Sequence, residues 1–275
     1  MNNRSKRQSF LGAHSDAIFN NAIVAIVGLC GGGSHIAPQL AHIGFLKFRL
    51  FDHDRVEEPN LNRMMGSGPK DAKDGRLKID VIRDHILHIQ PSADIEVFPS
   101  RWQDHHLALR GCTVVFGCVD SFSERDQLEA NCRRFLTAYI DIGMDVHEIA
   151  SGQYSISGQV IASLPAQPCM RCMGVLTDER IAREAQRYGE AGDRPQVIWP
   201  NGILASTAVG TCISLLTPWH KPQETIPFIE YDGNRNEMRP SNCLNAIRGL
   251  QCFHYPQNSI GDPFWTPGRV VTPEV

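Results

Sequence analysis

Between Gly28 and Arg63 the chain gathers residue types suited to holding a polyphosphate nucleotide. An apolar run (IVAIV) leads into a glycine-rich turn with Gly28, Gly31 and Gly33, and Asp52 follows Gly28 by 24 residues. Glycines let a backbone come close to phosphate oxygens, and a helix starting there presents N–H groups and the positive end of its dipole. An acid roughly 20 residues after such a turn can grip a ribose. Cys30 occupies the central position where a dinucleotide fingerprint has glycine, and a side chain there crowds a pyrophosphate. The segment Asn60-Leu61-Asn62-Arg63 adds polar and basic groups that suit a triphosphate. Further on, Asp120 stands past an apolar run, where α/β sheets place functional residues.

These residues need a frame of strands and helices to hold them. The pattern predicts a strand over 22–27, a helix over 34–44, a strand over 48–51 and a helix over 76–89, whose apolar positions 79, 82, 86 and 89 keep a helical period. Pro91 ends that helix. Strands follow at 94–98, 113–116 and 139–142, with a short helical piece near 104–109. A helix over 123–137 reads as capped by Ser123. Alternating strands and helices imply a right-handed, doubly wound, mainly parallel, Rossmann-like α/β sheet. Past 145 the pattern changes. Residues 155–164 alternate like an antiparallel strand, 177–195 are charged and helical with a break at Gly189–Gly192, 202–216 form a small-residue helix, and 228–231 another strand. The organisation expected is an N-terminal arm (1–20), a nucleotide-binding part (21–145) and a C-terminal part of the same domain (146–275) with an antiparallel extension and a metal loop. The proline-rich tail from Pro256 reads as extended.

Bulk properties narrow the class. A chain of 275 residues with 42% hydrophobic content can bury a core. The net charge of −3 and the lack of a basic block beyond RSKR disfavour nucleic acid as main partner. The apolar runs look strand-sized, so no membrane partner is expected, and no secretory h-region follows the N-terminal basic residues. A cytoplasmic location follows, with the nine cysteines mostly reduced.

The segment FDHDRVEEPNLNRMM resembles the Asp-x-Asp…Asn-Leu-x-Arg stretch of the ubiquitin-activating-enzyme-like adenylyltransferases, the ThiF, MoeB and HesA family. GLCGGGS is similar to that family's GAGGLGS, with Cys30 and Gly32 as departures. RSKRQ resembles its Arg-x-x-Arg-Gln, and VVFGCVDSFSER its Asp-Asn-x-x-x-Arg segment, with Ser121 in place of asparagine. Lys78 sits where the family keeps a phosphate-binding lysine. The resemblance covers roughly residues 4–175. It implies an ATP- and Mg2+-dependent transfer of AMP to a carboxylate, that of the C-terminal glycine of a ubiquitin-like or sulfur-carrier protein. Asp52 and Asp54 would serve the ribose side, Arg63 and Lys78 the phosphates with Asn60 nearby, and Asp120 the magnesium. Family dimers lend the second N-terminal arginine to the neighbouring site, which implies a homodimer with Arg7 acting in trans. An acyl-adenylating enzyme for a small, peptide or tRNA-borne carboxylate, or a non-catalytic scaffold, are the alternatives.

Cys169-x-x-Cys172 is a spacing at which two thiolates can hold one metal. The family completes a zinc tetrahedron with a second Cys-x-x-Cys about seventy residues later. Here Cys243 follows Cys172 by 71 residues, but its partner position is Ala246, and Cys252 and His254 lie nearby. The expected structural zinc set is Cys169, Cys172, Cys243 and Cys252. For a thioester-forming nucleophile the sequence offers little. No cysteine lies within ten residues before Trp199, and Cys118 and Cys212 read as core. His35, in the first turn of the glycine-loop helix, is the histidine placed to touch phosphate.

Overall fold

The computed structural model describes residues 3–186, 195–220, 227–255 and 261. A 3₁₀ segment (Asn3–Leu11) and helix α1 (Ser15–Asn21) lead into strand β1 (Ile23–Val27). Helix α2 (Gly31–Ile43), strand β2 (Lys47–Phe51), the short α3 (Pro69–Lys73), helix α4 (Lys78–Ile89) and strand β3 (Asp94–Phe98) follow. After a 3₁₀ segment (Trp102–Leu109) come β4 (Val114–Gly117), α5 (Phe122–Arg134), β5 (Ala138–Ala150) and β6 (Gln153–Ser163). The remaining elements are α6 (Asp178–Gln186), α7 (Ile198–Leu216), β7 (Phe228–Asp232), β8 (Glu237–Pro240) and α8 (Cys243–Ala246).

The eight strands of the described residues form one sheet in the order β3-β2-β1-β4-β5-β6-β7-β8. The pairs from β3 to β5 are parallel, and those from β5 to β8 are antiparallel. That is the mainly parallel, Rossmann-like sheet with an antiparallel extension that the pattern predicted. Side chains of β1 alternate between the faces, as pleating requires. Val24 and Ile26 join the core beneath α2, α4 and α7, while Ala25 and Val27 join the one containing Trp102, Leu128 and Cys132.

Several boundaries differ from the sequence pattern for identifiable reasons. Helix α2 begins at Gly31 rather than Ser34, so the glycines are its first turn and not a loop before it. A Cβ at Gly33 would overlap the Gly28 carbonyl, and Gly28 itself has φ +89, which L side chains rarely adopt. Together these two glycines let the helix start hard against the end of β1. The cap of α5 is Ser121, not Ser123: its hydroxyl accepts from the Glu124 amide at 3.3 Å. Strand β5 runs eight residues beyond Ile142, where half-buried Met144 and Val146 alternate with exposed Asp145 and His147 and no fully buried run marks a strand. Helix α7 starts four residues early at Ile198, with Pro200 in its first turn, a position that needs no intrahelical N–H bond. By length and composition α7 could span a membrane, so the estimate that the apolar runs are only strand-sized is corrected. Its buried Leu204, Ala205, Ala208 and Val209 belong to the core shared with α2, which is how a packed central helix reads. The break at Gly189–Gly192 and the tail from Pro256, apart from Gly261, lie outside the described residues.

Candidate functional site

Strand ends β1, β2 and β4 converge on a cavity of about 270 Å³. Lining it are the Gly28–Gly32 turn, Asp52, Asp54, Arg63, Lys78 and Asp120. These residues lie on five separate segments, and the fold brings them to one place.

Asp52 ends β2 and faces back toward β1. One carboxylate oxygen accepts from the Leu29 amide at 2.7 Å, the other from the Asp54 amide at 2.8 Å. The side chain therefore fixes the glycine turn, and each oxygen keeps a second lone pair for a ligand hydroxyl. Burial pushes its pKa up, opposed by Lys78 and by those two amides. Lys78 opens α4, is almost fully buried, and donates through Nζ to Asp54 at 2.9 Å. Burial alone would lower its pKa, but Cys30, Asp52 and Asp54 outweigh that and hold the ammonium charged. Cys30, whose thiol burial pushes up, lies among Lys78, Arg63, Asp120 and Asp52.

Arg63 is presented by a tight turn. Asn60 builds that turn: its side-chain oxygen accepts from the Glu57 amide at 3.0 Å, and its backbone carbonyl accepts from the Arg63 amide. Asn60 is buried and does not line the cavity, so it supports the arginine instead of reaching a phosphate itself. Arg63 spends Nη1 on Pro59 and Asn62, leaving its buried Nε without a partner among the described residues. Ser34 braces the same turn, because its hydroxyl accepts from the Met65 amide at 2.9 Å. Gly33 also lies outside the lining and acts through the packing described above. His35 is buried next to the Arg63 backbone, away from the cavity, and burial lowers its pKa. Arg7 is exposed on the N-terminal 3₁₀ segment and does not line this chain's own cavity.

A second cavity of about 980 Å³ adjoins the first and shares Asp120, Arg125, Gly143 and Met144 with it. Asp120 carries no hydrogen bond or ion pair among the described residues. Arg125 is committed: it donates to Asp141 at 3.0 Å and to the Val119 carbonyl at 3.1 Å, both buried. Sequence reasoning matched Arg125 only as part of a motif, and missed Asp141 and the Ser100–Trp102 segment that also lines the first cavity.

Cys169, Cys172, Cys252 and His254, which line neither cavity, place one donor atom each within 4.8 Å of one another. His254 stands where Cys243 was expected. Cys243 starts α8 and packs against the core beside Leu244 and Ile247. The Cys169–Cys172 sulfur separation is 3.6 Å, and His254 Nδ1 lies 3.5 and 3.4 Å from the two sulfurs. A tetrahedron with Zn–S bonds of about 2.3 Å has S–S edges near 3.7 Å, so this donor set fits zinc. Arg171, held by Asp126 and Asp178, projects from the same Cys-x-x-Cys loop.

Residues 4–248 match the model of the ThiF family. The chain belongs to the ThiF family. Among its relatives, molybdopterin-synthase adenylyltransferase of Salmonella typhimurium is 30% identical over 206 residues, covering 74% of this chain and 76% of the relative. Ubiquitin-like modifier-activating enzyme 5 of Caenorhabditis elegans is 29% identical over 171 residues, covering 57% of this chain and only 40% of that longer protein. In structure the chain is similar to E. coli MccB crystallised with AMPCPP and MccA, with a TM-score of 0.70, 20% identity, and coverage of 88% of this chain and 72% of MccB. The ThiF family is thus the family of an enzyme named as an adenylyltransferase, and the two smaller departures in the glycine turn, Cys30 and Gly32, do not remove the chain from it.

Proposed function

We propose that this chain is an ATP- and Mg2+-dependent adenylyltransferase that activates the C-terminal carboxylate of a ubiquitin-like or sulfur-carrier protein. One observation carries the reading: the phosphate-type cavity opens at Asp120 onto a larger groove, so a nucleotide and a long acceptor can meet at one carboxylate-lined junction. In the reaction, an acceptor carboxylate oxygen forms a bond to the α-phosphorus of ATP, the bond to the bridging oxygen breaks, and pyrophosphate leaves with the electron pair. Catalysis of such a step rests on positioning and on neutralising charge. The glycine turn and α2 N-terminus, Arg63 and Lys78 hold phosphate oxygens, while Asp52 with Asp54 fixes the turn and accepts ribose hydroxyls. Asp120, a carboxylate with no hydrogen bond or ion pair among the described residues, fits a magnesium site, and the ion would supply charge neutralisation at the phosphates. Cys118 is half-buried on the wall of the smaller cavity with its thiol pushed up, and the buried Cys212 is pushed up to about 12, which supports a chain that stops at the acyl-adenylate.

The working unit is a homodimer in the cytoplasm. Nine free cysteines suit a reducing compartment. The arm (1–20) would serve a neighbouring subunit, the part over 21–145 the nucleotide, and 146–275 the acceptor and a structural zinc on Cys169, Cys172, Cys252 and His254. Two outcomes are expected. Purified protein carries about one zinc per chain by metal analysis, and Cys252→Ser lowers that content; protein purified without chelator and free of zinc rules the site out. Mixing Arg7→Ala chains with Asp120→Ala chains restores activity through hybrid dimers, and heterodimers that form without recovery rule out an arginine in trans.

ATP–pyrophosphate exchange tests the function itself. Exchange that depends on a small protein ending in Gly-Gly supports the reading. Exchange supported only by short peptides or free carboxylic acids moves the acceptor to that class, and no exchange with any of them favours a scaffold.

A further inference from the structure

Helix α7 runs along the place where the two cavities meet. Asn201 and Leu204 lie one turn apart on the same face of it. Leu204 lines the smaller cavity and packs on Gly158 of the larger one, where a Cβ would strike its Cδ1. Gly158 in turn lies against the carbonyl of Gly143, a residue both cavities share. Asn201 also lines the smaller cavity and sits on Gly31, the first residue of α2, where a Cβ would strike the carboxamide. An extended chain entering the smaller cavity from the groove passes Leu204 and ends at Asn201.

Asn201 is 6% exposed, yet only part of its hydrogen-bonding capacity is used. Its Nδ2 donates to the Val197 carbonyl at 2.9 Å, which fixes the end of the amide that is nitrogen. Oδ1 accepts no hydrogen bond among the described residues, and it is open to the cavity rather than sealed in the core. A carboxamide oxygen can only accept. Phosphates held by the glycine turn offer it nothing but further acceptors, so an oxygen in this position calls for a donor from a different ligand.

We propose that Asn201 grips the last residue of the acceptor: Oδ1 accepts that residue's backbone N–H, and the second Nδ2 proton is donated to the carboxylate oxygen that does not attack phosphorus. An extended residue carries its own N–H and its carbonyl oxygen on one edge, as residues of a β-ladder do toward their partners. A carboxamide matches that edge with one acceptor and one donor. The inference rests on the adenylyltransferase reading above and adds to it a binding residue that senses an N–H next to the reacting carboxylate.

The test measures ATP–pyrophosphate exchange on the full chain and its Asn201→Leu variant. The two probes are a synthetic octapeptide ending in Gly-Gly and its ester analogue, in which oxygen replaces the last N–H. In the wild type the ester analogue should have a kcat/KM about five- to tenfold lower, mainly through KM. In the variant the peptide should fall to the level of the ester, so that the preference disappears, while ATP affinity by calorimetry stays at the wild-type value. Equal use of both probes by the wild type overturns the proposal, even if the variant fails to fold. A variant that keeps the preference overturns it, as does one that loses affinity for ATP with magnesium, because the amide would then serve the metal or the phosphates. Wild type that binds ATP yet shows no exchange with the peptide at millimolar concentration overturns it too. Wild-type protein that binds no ATP overturns the adenylyltransferase reading as well, whereas exchange indifferent to the N–H overturns this inference alone.

Discussion

Replacing Arg125 with leucine is expected to cost about 3–5 kcal/mol of folding stability, read from a shifted urea midpoint at constant slope. The guanidinium is buried and holds three things at once. It donates to Asp141 and the Val119 carbonyl, and it lies against Gly143, where a Cβ would collide with it. Asp141 is fully buried and also accepts from the Tyr139 hydroxyl at 2.9 Å. Burial pushes the Asp141 pKa up, and Arg125 is the main force holding it down. Without the arginine, a carboxylate inside the sheet must stay charged and unpaired or take up a proton. Either way the folded state loses, and the strand end that carries Asp120 loses its anchor at Val119. The double variant Arg125→Leu/Asp141→Leu should recover part of the loss, because no bare charge remains. A single variant that loses under about 1 kcal/mol contradicts this account of the pair.

The second large effect falls on chemistry rather than folding. Lys78→Ala and Arg63→Ala should each remove about 1–3 kcal/mol of ATP interaction or transition-state stabilisation. The two side chains come from different elements, yet both line the cavity beside Asp120. Lys78 is the more constrained, since its ammonium is buried and bonded to Asp54. Its loss should weaken ATP binding and also leave Asp52 more easily protonated, because Lys78 is the largest of the influences that oppose burial there. Activity in Lys78→Ala should therefore fall further at mildly acidic pH than at pH 8. Arg63→Ala should show no such pH dependence. Both variants adenylating at the wild-type rate would remove the phosphate assignment.

The cluster of residues around the smaller cavity was legible in the sequence because its signals are local. Glycine spacing, an acid at a strand end and a polar run are each readable within a few residues, and Asp52, Arg63, Lys78 and Asp120 do meet at one cavity. What the sequence hid depends on distant contacts. Asn60 reads like a ligand by type, but folding turns its side chain onto the Glu57 amide. His254 takes the position expected for Cys243 because the chain returns to the Cys-x-x-Cys loop some ten residues later than a fixed family spacing suggests. Strand β8 and helix α8 are four residues each, too short for any period to register.

The central claim is a working ATP site with Asp120 at its edge, and calorimetry addresses it most directly. ATP with magnesium and, separately, NADH would be titrated into the wild type and Asp120→Ala. The account predicts micromolar ATP binding that weakens sharply in the variant, and no heat with NADH. NADH binding, or ATP binding absent from a folded wild type, would contradict it.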